Sequence, residues 1–88
     1  MMSNKVLIAD DSLTIQKVIK ITLANEPFEV MECADSDSLI SSVRDNQIEI
    51  VLLDFNLSES KSGYDLCSEL IQEFPNLKVV LLYGTFDS

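Results

Sequence analysis

The sequence predicts an α/β fold, a doubly wound parallel sheet with helices against its faces. Three observations predict it. Apolar runs of strand length occupy residues 5–9, 48–53 and 78–83, and continuous runs of this kind suit strands buried on both faces. Segments with apolar residues at helical spacing lie between the strands. The resulting order is βαβαβαβ, and strands alternating with helices imply right-handed crossovers within one parallel sheet.

Each element has its own signal. Lys-Val-Leu-Ile-Ala9 stops at Asp10-Asp11-Ser12, where Asp11 or Ser12 can cap a helix carrying Ile15, Val18, Ile19 and Leu23. Asn25-Glu26-Pro27 ends that helix. Residues 28–33 alternate apolar and polar, as a half-exposed, edge-like strand does. Ser36 or Asp37 opens a second helix bearing Leu39, Ile40 and Val43. The third strand runs into Asp54, and a polar loop containing Gly63 follows. Cys67, Leu70, Ile71 and Phe74 then fall at i, i+3, i+4 and i+7 of a third helix, which Pro75-Asn76 terminates before the fourth strand.

Composition narrows the function. Eighty-eight residues make at most one small domain, and 47% hydrophobic with 24% charged residues is a globular composition. No apolar run approaches the roughly 20 residues that span a bilayer, and the polar start of the chain is no signal peptide. Cys33 and Cys67 stand apart from each other and read as reduced thiols of a cytosolic protein. A net charge of −9 argues against direct nucleic-acid binding and permits a basic partner or a divalent cation. The chain has no histidine, hence no imidazole base and no phosphohistidine.

Three carboxylates sit where strands end: Asp10 and Asp11 after the first, Asp54 after the third. The carboxyl ends of parallel strands share one edge, where open α/β folds place ligands. If the first and third strands are neighbours, the acids converge, and either protons or a cation must offset their charge. An oxygen-only donor set suits Mg²⁺. A solitary aspartate after a strand can be a helix cap, but the helix after Asp54 begins nine residues on, near Gly63, so Asp54 is not its cap.

Lys-Val-Leu-Ile-Ala-Asp10-Asp11-Ser, Val-Leu-Leu-Asp54-Phe-Asn-Leu and Gly63-Tyr-Asp-Leu-Cys together resemble the CheY-like receiver domain of bacterial two-component response regulators, over the whole chain. The resemblance implies a flavodoxin-like sheet of order 2-1-3-4-5, with residues 1–88 its N-terminal portion and the final α4-β5-α5 part missing. It also implies that Asp54 accepts a phosphoryl group from a sensor histidine kinase or phosphotransfer protein. Asp10, Asp11, Asp54 and the backbone carbonyl of Asn56 would hold Mg²⁺. Such a domain is a cytoplasmic phosphoprotein, and it catalyses only its own phosphorylation and dephosphorylation.

The sequence also departs from the family pattern. Tyr83 stands where the family has a small hydroxyl residue, and Thr85 is the alternative switch candidate. The loop after Asp54 lacks the usual proline and is one residue longer than is common. The family's lysine at the end of the fifth strand has no counterpart. A degenerate, unswitched interaction module is therefore the second reading. A third takes Asp54-Phe-Asn-Leu-Ser58 as a loose phosphatase nucleophile motif. With the fourth strand at an edge, self-association through it is expected.

Overall fold

The computed structural model describes residues 4–83. Four strands, β1 (Asn4–Ala9), β2 (Phe28–Cys33), β3 (Ile50–Asp54) and β4 (Lys78–Leu82), alternate with α1 (Leu13–Thr22), α2 (Leu39–Asn46) and α3 (Gly63–Glu73). All strand pairs are parallel, in the order β2-β1-β3-β4. The chain leaves β1 toward β2, then returns past β1 to β3 and β4. Right-handed crossovers therefore place α1 on one face and α2 with α3 on the other.

The main core lies under α2 and α3. Leu7, Ala9, Val51 and Leu53 point into it and meet Leu39 and Val43 of α2 and Leu66 and Leu70 of α3. Leu70 is fully buried, and truncation of such a side chain to alanine costs about 2–5 kcal/mol. The continuous apolar character of β1 reflects burial on both sides, because Val6 and Ile8 are also buried on the α1 face. β2 is the half-exposed edge that its alternation predicts.

Several boundaries differ from the sequence-based expectation, each for a local reason. α2 starts at Leu39 with Ser38 in the cap position, not at Ser36 or Asp37. The Asp35 carboxylate accepts from both the backbone N–H and the hydroxyl of Ser38 at 2.9 Å, winding a turn ahead of the helix. Those two bonds hold the Asp35 carboxyl below its ordinary pKa. β3 starts at Ile50 rather than Ile48. Gln47 ends α2 in the left-handed region at φ 54°, and the Ile48 N–H returns to the carbonyl of Val43. On α3 the buried stripe is Gly63, Leu66 and Leu70, with Cys67 and Phe74 partly buried and Ile71 at its exposed margin. Val18 of α1 is 54% exposed, and the one buried side chain of that helix is the polar Gln16.

Candidate functional site: an acidic cleft at the strand ends

The register brings the aspartates together. Ala9 pairs with Leu53, so Asp10, next after Ala9, and Asp54, next after Leu53, leave adjacent strands side by side. Asp11 follows in the bend before α1. Each of the three offers a carboxylate oxygen, and these oxygens lie within 4.8 Å of one another. They line a cleft of ≈ 690 Å³ with Asn56, Ile15 and Ile19 of α1, and Leu82 and Tyr83.

Local hydrogen bonds fix the approach to this cleft. Asp10 Oδ1 accepts from the Ser12 N–H at 2.8 Å, and Ser12 Oγ in turn accepts from Ile15 N as the cap of α1. This settles the choice between Asp11 and Ser12 in favour of Ser12, and it frees the Asp11 carboxylate. The Asp10 backbone is tied on both sides, its N–H to the Cys33 carbonyl and its own carbonyl to the buried Gln16 side-chain amide. Asp54 Oδ1 accepts from Asn56 N–H at 3.1 Å.

The electrostatics are uncompensated. Asp10 is only 6% exposed, and burial pushes its carboxyl pKa up. The neighbouring charges of Asp54 and Asp11 add to this, against the opposing hydrogen bond from Ser12. Ion pairs among the described residues are Lys20–Glu32, Arg44–Glu73 and Lys61–Glu69, and none involves these aspartates. Three close carboxylates with one buried and no cationic side chain paired to them fit a hard divalent cation.

Tyr83 lies one residue past β4, 59% exposed. Its hydroxyl donates to the Tyr64 hydroxyl at 3.0 Å, which lifts the Tyr83 phenol above its ordinary pKa. Its ring stacks on Phe55, whose centroid is 5.0 Å away. Thr85 lies outside the described residues. Asp54 ends a third strand rather than a first, so the phosphatase motif lacks its structural context.

Sequence reasoning missed two supports of this site. The capping box between Ser62 and Asp65, which starts α3, was readable as Ser-x-x-acid. The contact of Phe55 with Tyr64 and Tyr83 carried no local signal, since it joins the residues just past β3 and β4 to one on α3.

The family described as response regulator receiver domain matches residues 6–87. The chain belongs to that family. The receiver is 31% identical over 77 residues to the probable transcriptional regulatory protein TcrX of Mycobacterium tuberculosis, covering 88% of this chain and 32% of that protein. It is 30% identical over 81 residues to the transcriptional regulatory protein SrrA of Staphylococcus aureus, covering 92% and 33%. The receiver thus spans about a third of the length of these curated relatives. Among solved structures it resembles NtrX of Brucella abortus, with TM-score 0.83, 28% identity and coverage of 97% of this chain and 20% of that one. RcsB of Salmonella typhimurium gives TM-score 0.82 and 26% identity, covering 92% and 42%. The fold is therefore that of a flavodoxin-like receiver, a signalling domain of two-component systems. Among the described residues no helix is long and apolar enough to cross a membrane.

Proposed function

We propose that this receiver is a phosphoacceptor in a bacterial cytoplasmic signalling pathway, with Asp54 as the residue that becomes phosphorylated. The observation that carries the reading is the convergence of the Asp10, Asp11 and Asp54 carboxylates on one cleft. Asp54 is the candidate nucleophile because it ends a buried strand without capping a helix. Its carboxylate oxygen attacks phosphorus on a phosphohistidine of a sensor kinase or phosphotransfer protein. The new O–P bond forms as the N–P bond breaks, and the electron pair returns to the departing imidazole. The chain supplies no histidine of its own, consistent with a recipient rather than a donor.

Asp10, Asp11, Asp54 and the backbone carbonyl of Asn56 are the proposed ligands of Mg²⁺. When bound, such a cation offsets charge on the equatorial phosphoryl oxygens. The residues themselves do the placing: Ser12 orients Asp10, Gln16 holds the Asp10 carbonyl, and the Asn56 N–H orients Asp54. The chain acts as one domain, its turnover limited to its own phosphoryl group, and it makes no nucleic-acid contact of its own. Incubation with acetyl phosphate tests the reading. Mg²⁺-dependent, hydroxylamine-labile labelling without turnover of p-nitrophenyl phosphate is expected. Turnover of that ester, or no labelling, would refute it.

A further inference from the structure

The residue after Asp54 is held from three sides. Phe55 donates its backbone N–H to the Leu82 carbonyl at 2.9 Å, which carries the β3–β4 ladder one residue past Asp54. Its ring stacks on Tyr83 at an interplanar angle of 28° and meets Tyr64 edge-on at 80°, with both centroids 5.0 Å away. The hydrogen bond between the two tyrosine hydroxyls closes the cluster. Gly63 forms its floor. A Cβ at position 63 would lie 2.8 Å from the Phe55 Cα and 2.6 Å from its Cδ1, far inside contact distance. Gly63 has no positive φ, so the position requires a missing side chain and not a special backbone conformation.

This clamp bears on Asp54. The hydrogen bond to the Asp54 carboxylate comes from Asn56, on the other side of Phe55, so the direction of the carboxylate follows the backbone of residues 54–56. We propose that Phe55 is a positioning residue for Asp54: clamped by Gly63, Tyr64 and Tyr83, it aims the carboxylate at Asp10 and Asp11 and so sets the affinity of the cluster for a divalent cation. The proposal rests on the cation reading above and adds to it a dependence on an aromatic side chain that is not a ligand. Supporting residues behind metal ligands typically alter affinity by about ten- to hundredfold.

Mg²⁺ titration by calorimetry on folded variants tests this without recourse to phosphorylation. Phe55→Ala should weaken Mg²⁺ binding about ten- to hundredfold, and Phe55→Tyr, which keeps the ring, should restore it. Phe74→Ala is the control, because Phe74 packs against the main core at the end of α3 away from the Phe55 cluster. It should lower the thermal midpoint and leave Mg²⁺ affinity unchanged. Phe55→Leu, which keeps apolar volume without the stack, replaces the alanine variant should that one not fold. Wild-type affinity in the Phe55→Ala or Phe55→Leu protein, or equal weakening by Phe74→Ala, overturns the proposal alone. Absence of Mg²⁺ binding by the wild type overturns the cation reading and the proposal with it.

Discussion

Replacing Asp54 with asparagine should make the metal-free protein more stable, although it removes the residue on which the proposed function depends. The Asp54 carboxylate lies within 4.8 Å of those of Asp10 and Asp11. Two unit charges at that separation repel by about 0.9 kcal/mol in bulk water and about 3.5 kcal/mol at an effective dielectric of about 20. The cleft is open to solvent, so the lower end applies, about 1 kcal/mol for each of two pairs. A domain of this size shifts its thermal midpoint by about 4–8 °C per kcal/mol, which gives a rise of about 10 °C for Asp54→Asn in EDTA at low salt. Asparagine keeps an oxygen for the Asn56 N–H, so the substitution is close to a pure charge change.

Three conditions should reduce that gain. Added salt screens the repulsion. Millimolar Mg²⁺ should stabilise the wild type more than the variant. Acid should act through Asp10, whose pKa is raised above 3.8 in the folded state, chiefly by burial. A raised carboxyl favours the protonated folded form: the associated stability is fully present below pH 3.8 and is lost as pH rises through the elevated value. The difference between wild type and Asp54→Asn should accordingly narrow in acid, as protonation of Asp10 removes one of the two repulsive pairs, and widen toward neutrality. Thermal melts in EDTA across pH decide it; an Asp54→Asn protein no more stable than wild type at neutral pH would refute the account of uncompensated repulsion.

Other consequences are equally specific. Both tyrosines of the chain belong to the Phe55 cluster and there is no tryptophan, so Mg²⁺ should change intrinsic tyrosine emission, and Asp11→Asn should move the midpoint to higher Mg²⁺; unchanged emission would uncouple the cluster from the site. Tyr83→Thr should enlarge the amide shift difference between phosphorylated and free protein, since it replaces a phenol held by Tyr64 with a small hydroxyl; an unchanged difference would leave Thr85 or another donor in that role. β4 has β3 as its sole strand neighbour among the described residues, with Val80 47% exposed. Light scattering on the 88-residue chain should therefore show self-association, and a monodisperse, cooperatively unfolding monomer would contradict it.

The sheet was legible because its strands leave apolar runs at 5–9, 48–53 and 78–83, and because the strand-end aspartates need only adjacency of β1 and β3 to converge. Burial on both faces, however, holds for β1 alone: β4, at the edge, has no fully buried residue and leaves Val80 47% exposed. Boundaries were less legible where side chains compete with the helix backbone. Asp35 binds Ser38 and delays α2, a choice that Ser36 and Asp37 offered equally well on paper. The α1 face misled at Val18, because apolar spacing marks a stripe but does not say how wide a cover it receives. Gln16 was invisible, as a buried polar side chain inside an apolar stripe reads as a solvent-facing one until its partner, the Asp10 carbonyl, is known. The clamp on Phe55 was likewise beyond a linear reading, since it depends on the β3–β4 register and on the space left by Gly63.

The central claim is that a phosphoryl group resides on one carboxylate. Borohydride reduces an acyl phosphate to the alcohol, so a phosphorylated aspartate becomes homoserine and can be located by peptide mass spectrometry. After acetyl phosphate and Mg²⁺, the peptide containing residue 54 should carry that conversion at Asp54, and EDTA should suppress it. Conversion at Asp10 or Asp11 instead, or label retained by Asp54→Asn, would contradict the assignment.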